Sequence, residues 1–135
     1  MKYKKKFALA MLTLLLLAKT SNIYAKNNGD TDWSVGTFSS VGYTPVRTKT
    51  DPSPVYLYTS TTNKEFTANV VNKDGSNPSI FQRVLITRPG KYCLSSYMYE
   101  DHRKNVDCKV KMVKSGSGYF SAKGQWSPDS RTCPW

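Results

Sequence analysis

The chain has 135 residues but only one histidine, three cysteines and nine carboxylates, and each scarcity excludes a class of function. With a lone histidine there is no HExxH motif, and GxSxG and a phosphate-cradling glycine loop ending in Gly-Lys-Ser/Thr are missing too. That removes the common zinc-protease, serine-hydrolase and P-loop readings. The cysteines never fall in a CxxC pair, which argues against a thioredoxin-type redox enzyme. Asn77 is followed by proline, so no Asn-x-Ser/Thr site with an allowed middle residue remains for N-glycosylation. Beyond residue 25 there is no second long apolar run, no internal repeat and no stretch with helical 3.6 periodicity.

What is present begins with a targeting pattern. Lys2, Lys4, Lys5 and Lys6 precede the apolar run Phe7 to Ala18, and Ala25 supplies a small residue at a cleavage position. The run is shorter than the roughly 20 residues of a membrane span. Residues 1–25 are therefore expected to be a cleaved, helical signal peptide, with residues 26–32 a flexible lead-in and 33–135 one domain outside the cytoplasm. Five of the twenty basic residues belong to the signal, so the mature chain carries fifteen Lys+Arg against nine Asp+Glu. That excess favours anionic partners.

The mature chain reads as short β-branched and aromatic runs separated by turn residues. Strands are expected near 33–38, 55–58, 65–72, 81–87, 91–99, 107–114 and 119–126. Between them lie "DPSP", "NKDGSNP", "RPG", "EDHRKN", "KSGSG" and "SPDS". Seven short strands at such spacing predict an all-β fold, a single antiparallel β-sandwich or an open barrel. In "CKVKMV" the alternation buries Cys108, Val110 and Met112 and exposes Lys109 and Lys111. In "YFSAKGQW" it buries Phe120, Ala122 and Trp126 and exposes Tyr119, Lys123 and Gln125. In "PVYLY" it turns Val55 and Leu57 inward, Tyr56 and Tyr58 outward. Joining 91–99, 107–114 and 119–126 as consecutive hairpins would set Lys109 opposite Lys123. It would also gather Tyr97, Tyr119, Lys109, Lys111 and Lys123 on one outer face, the candidate binding surface. Pairing 81–87 with 91–99 through "RPGK" conflicts with those faces unless a bulge or register shift intervenes.

His102 sits in "YEDHRKN" among Glu100, Asp101 and Asp107, and reads as a polar turn residue. A Cys–His nucleophile would need a thiolate within hydrogen-bond reach, but Cys93 falls at the far end of its strand and Cys108 points inward. No metal-ligand spacing appears, so no catalytic residue, metal or cofactor is assigned. Three cysteines in an oxidising compartment leave one disulfide and one spare thiol. The hairpin arrangement favours Cys108–Cys133. Cys93–Cys133 remains open if the tail runs back along the sheet, and Cys93 could instead link two chains of an otherwise monomeric protein.

The stretches "DTDWSV", "RTKTDPSPVYLY" and "SGSGYFSAKGQWSPDS" resemble a family of small secreted proteins of Gram-positive bacteria classed as a domain of unknown function. The resemblance covers most of the mature chain and implies a β-rich extracellular protein, with no catalytic residues attached. A weaker likeness is to lactococcin 972-type bacteriocins, which are basic secreted β-sandwiches; they are smaller, and the cysteines and longer tail here depart from their pattern. The expected function is a secreted, non-enzymatic protein binding an anionic cell-wall polymer, a glycan or a membrane surface, with no specific nucleic-acid partner. The alternatives are a bacteriocin-like antagonist of neighbouring cells, and a small extracellular enzyme or protease inhibitor presenting "DPSP" or "NKDGSNPS".

Overall fold

The computed structural model describes residues 29–133. The expected signal peptide, residues 26–28 of the lead-in and the last two residues lie outside that range. The strands are β1 (Thr31–Thr37), β2 (Val41–Tyr43), β3 (Arg47–Lys49), β4 (Val55–Thr62), β5 (Phe66–Asn72), β6 (Val84–Ile86), β7 (Gly90–Leu94), β8 (Val106–Lys114) and β9 (Phe120–Ser127). Among the described residues one short helix, α1 (Met98–His102), interrupts them. A four-stranded sheet in the order β1-β9-β4-β7 faces a five-stranded sheet in the order β2-β8-β5-β6, with β3 also on β8. All pairings are antiparallel, and the two sheets form a sandwich.

Alternation within strands places the core as expected. Cys108, Val110 and Met112 of β8, Phe120, Ala122 and Trp126 of β9, and Val55 and Leu57 of β4 are all buried. Phe66 of the second sheet meets Phe120 of the first with ring centroids 5.3 Å apart. Burying side chains of this size, at about 25 cal/mol per Å² of apolar surface, is what holds the layers together.

The strand partners differ from the sequence expectation. β8 and β9 do not form a hairpin: β8 pairs with β5, β2 and β3, while β9 pairs with β1 and β4 in the other sheet. The "KSGSG" segment crosses between layers rather than turning within one. Lys109 therefore lies opposite Val71, and Lys123 opposite Ser34, not opposite each other. The expected strand 91–99 ends at Leu94, and its continuation forms α1, whose Met98 is inserted into the core. It pairs with β4 rather than β8. The "RPGK" conflict disappears because β6 and β7 belong to different sheets, and Ile86 packs inward while Arg83 is exposed. The lead-in is shorter than expected, since Thr31 and Asp32 already pair with β9.

Two strands went unforeseen because each is only three residues long. β2 and β3 lie end to end along β8, separated by Thr44, Pro45 and Val46. Thr44 bridges the gap: its amide donates to the Val110 carbonyl (3.1 Å) and its Oγ1 accepts from the Val110 amide (2.9 Å).

One glycine is demanded by close approach. β4 bulges between Thr59 and Thr61 against β9. There the Tyr58 carbonyl accepts a hydrogen bond from the Trp33 indole nitrogen at 3.2 Å, reaching across Gly124. A Cβ on Gly124 would stand 1.8 Å from that carbonyl oxygen, against backbone on a central strand. Gly124→Ala is expected to cost about 3 kcal/mol, the upper end for overpacking, read from the urea midpoint. A cost under about 1 kcal/mol would mean the bulge relaxes freely.

Candidate functional site

The outer face of the first sheet carries a row of polar and aromatic groups. Tyr56, Tyr58 and Ser60 project outward from β4, because Val55, Leu57 and Thr59 are held inward. Pairing sets a row across all four strands: Asp32 opposite Gln125, Gln125 opposite Tyr58, Tyr58 opposite Lys91. The Gln125 amide nitrogen donates to Asp32 Oδ1 at 3.1 Å, which fixes one end of the row. Tyr56 lies two residues on, about 6.8 Å away along the strand, flanked by Ser127 and Cys93. Partial burial, then the nearby Asp30 carboxylate, then Tyr58, push the Tyr56 phenol above its ordinary pKa, so it stays a neutral hydrogen-bonding group.

The two tyrosines form a ridge between two clefts. One, of about 500 Å³, is lined by Asp32, Ser34, Tyr58, Ser60, Lys123 and Gln125. The other, of about 410 Å³, is lined chiefly by Tyr56, Lys91, Ser130, Arg131, Thr132 and Asp30. The side-chain nitrogens of Lys91, Lys123 and Arg131 make no hydrogen bond or ion pair with any described residue. They are exposed and available to a ligand.

The second cleft owes its shape to the tail. Beyond β9, Pro128 and Asp129 turn inward, and Asp129 is 1 % exposed. Its carboxylate accepts from the Thr50 amide (3.0 Å), Thr50 Oγ1 (2.8 Å), the Asp51 amide (3.3 Å) and the Lys49 ammonium (3.3 Å). Lys49 is equally buried at 1 % and also donates to the carbonyls of Pro128 (2.7 Å) and Ser53. Past this point Ser130 Oγ accepts from the amides of Thr132 (3.2 Å) and Cys133 (3.1 Å), and Cys133 is bonded to Cys93.

That bond corrects the expected Cys108–Cys133 bridge. Cys108 points into the core of the second sheet, where its free thiol is fully buried and burial pushes its pKa up to about 12. Cys93 points to the outer face of the first sheet, where the tail emerges after Ser127. Its sulfur is already used, so a chain-to-chain link through Cys93 does not fit this arrangement.

The five residues expected to form one binding row are divided among three places. Lys123 lies on the first sheet, and Tyr119 in the segment leading into its strand β9. Lys109 and Lys111 lie on the outer face of the second, with the Lys109 ammonium 4.1 Å from the centre of the Tyr43 ring. Tyr97 sits at the start of α1, beside Ile80. The row assumed hairpins that do not form. Lys91, Gln125 and Arg131 were missed; the outward positions of Tyr56 and Tyr58 were legible from "PVYLY", but their strand neighbours were not.

His102 is exposed on α1, with Nε2 3.0 Å from Asn72 Oδ1. Neighbouring Asp101 accepts from the Ser79 side chain and amide, which hold its carboxyl below the usual range. Among the described residues no group of three or more His, Cys, Asp or Glu side chains could hold a metal ion. In the two loops named for an inhibitor, Ser53, Pro54 and Pro78 are buried and Asn77 Oδ1 accepts from Asn69 at 3.2 Å, while Pro52, Lys73, Asp74, Ser76 and Ser79 are exposed.

The sequence profile of the family described as protein of unknown function (DUF2712) matches residues 21–130, and the chain belongs to that family. No curated protein and no solved structure matches.

Proposed function

We propose that this member of the DUF2712 family is a secreted, non-enzymatic binding protein that holds an anionic glycan of the Gram-positive cell envelope against the outer face of its first sheet. The observation that carries the reading is the Tyr56–Tyr58 ridge, with the unpartnered nitrogens of Lys91, Lys123 and Arg131 in the clefts on either side. A sugar ring offers an apolar C–H face and a rim of hydroxyls. Two aromatic side chains two residues apart on one strand face supply dispersion contact for the first. Gln125, Ser34 and Ser130 supply hydrogen-bonding groups for the second, and the basic nitrogens favour an acidic substituent on the polymer. The signal-like N-terminus and the basic mature chain agree with such a location and such a ligand.

The test is cosedimentation of the purified mature protein with isolated cell walls over a range of salt. Tyr56→Ala with Tyr58→Ala is expected to weaken binding by about tenfold at every salt concentration, the scale of one or two lost aromatic contacts. Lys91→Gln with Lys123→Gln is expected to flatten the salt dependence, because exposed charge contacts are the ones screened. If the wild-type protein shows no binding at low salt, or the tyrosine variant binds unchanged, the reading fails.

A further inference from the structure

The far end of the first sheet carries an unusual pair of side chains. Phe38, in the turn between β1 and β2, is 77 % exposed, and Tyr119, leading into β9, is 46 % exposed. Their rings meet edge to face with centroids 5.1 Å apart. This end is built rather than loose. The Ser39 amide donates to Thr37 Oγ1 (2.9 Å) and the Val41 amide to Ser39 Oγ (3.3 Å), fixing the turn that presents Phe38. The Lys114 ammonium donates to the carbonyls of Phe38 (2.7 Å) and Gly118, tying the two aromatic loops together. Beneath them, a Cβ on Gly36 would stand 2.4 Å from the Tyr119 hydroxyl, so glycine is what lets the tyrosine lie there.

We propose that this tip, with Phe38 at its apex and Tyr119 beside it, docks into the interface of an anionic phospholipid bilayer. A phenyl ring 77 % exposed at the apex needs a deformable apolar medium rather than a rigid polymer. Bilayer interfaces provide that medium, with tyrosine favoured at headgroup level where its hydroxyl stays hydrated. Lys114 and Lys64, whose ammonium lies beside Gly118, place positive charge behind the aromatic pair, where anionic headgroups would lie. Glu65, on the same turn as Lys64, offsets part of that charge. The apolar contact therefore carries more of the attachment than the lysines do, and a single shallow anchor of this kind is reversible. The tip is at the Phe120 end of β9, whereas Tyr56 and Arg131 are at the Ser127 end. Lys123 and Ser34 lie between the two ends, but the tip shares no residue with the glycan surface, so this inference rests on different side chains from the glycan reading.

Flotation of the mature protein with phosphatidylglycerol-containing vesicles tests it, with phosphatidylcholine vesicles as the neutral arm. The wild-type protein is expected to float with the anionic vesicles and to retain part of that binding at high salt. Phe38→Ser is expected to lower the partition coefficient by about 10- to 100-fold, the value of one buried phenyl group. Because Phe38 lies outside the core and loses only its ring contact with Tyr119, Phe38→Ser is expected to lower the melting temperature by no more than a few degrees. In Phe38→Trp, fluorescence quenching by brominated lipid should exceed that of the wild-type protein. Lys64→Gln should lower binding by only a few fold. The proposal is overturned if the wild-type protein does not float, if Phe38→Ser floats equally well, or if Lys64→Gln abolishes binding that Phe38→Ser leaves intact. That last result would mean simple electrostatic adsorption.

Discussion

Asp129→Ala is expected to lower the unfolding free energy by about 3–5 kcal/mol, the cost of stripping one partner from a buried ion pair. The size follows from what the carboxylate holds. Removing it leaves the Lys49 ammonium, 1 % exposed, without its counter-charge, and takes the acceptor from the Thr50 and Asp51 amides. Uncompensated buried charge is the most expensive of these losses. The partner substitution should be milder. In Lys49→Met the carboxylate keeps the Thr50 amide, the Thr50 hydroxyl and the Asp51 amide, so much of its solvation survives. Urea unfolding of both variants checks the order. Equal costs would mean that the ion pair, and not the backbone amides, dominates. A cost under about 1 kcal/mol for Asp129→Ala would contradict a folded-in tail altogether. For a domain of this length, whose total stability is expected to be about 5–15 kcal/mol, either large value leaves little margin.

Cutting the Cys93–Cys133 bond, as Cys93→Ser with Cys133→Ser, is expected to cost about 4 kcal/mol in the chain-entropy description of a loop with a sequence separation of 40. Thiol counting gives a sharper readout. The native protein should show no reactive thiol, since Cys108 is buried and its pKa is pushed up to about 12. After denaturation without reductant it should show one. Peptide mapping should link Cys93 to Cys133, and a Cys108–Cys133 peptide would refute the arrangement. The bond and the Asp129 network hold the same short segment, so combining the two losses should cost less than their sum. If the proposed glycan site is correct, loss of either should also weaken binding there, because the tail presents Arg131 and Thr132 beside Tyr56.

Much of the sandwich was legible because alternation is a local property. The residues of "CKVKMV", "YFSAKGQW" and "PVYLY" declare which side chains go in, and the structure buries those side chains. Turn-forming clusters marked most of the strand ends for a similarly local reason: their φ angles and short side-chain hydrogen bonds act over two or three residues. The exceptions were also local in origin. β2 and β3 are too short to show a period, and α1 hides inside a stretch whose β-like residues continue past Leu94.

Strand partnership was different in kind. A hairpin of β8 and β9 and the observed crossing between layers bury the same Val110, Met112, Phe120 and Trp126. The pattern is blind to the choice, and only closure of the whole sandwich selects between them. Everything that depends on neighbours inherited that ambiguity. The proposed row of Tyr97, Lys109, Lys111, Lys123 and Tyr119 dissolved, and Tyr58 acquired Gln125 and Lys91. Cys133 found Cys93 on the outer face rather than Cys108 in the core. Lys49 shows the limit most plainly. Within "VRTKTD" it looks like any solvated lysine, and its burial is tolerable only because Asp129, 80 residues away, meets it there. The sequence by itself determined which faces are apolar and where the chain turns, since those energies are settled among near neighbours. The tertiary structure alone decided which surfaces, sulfurs and charges meet, since those energies exist only once distant segments have been brought together.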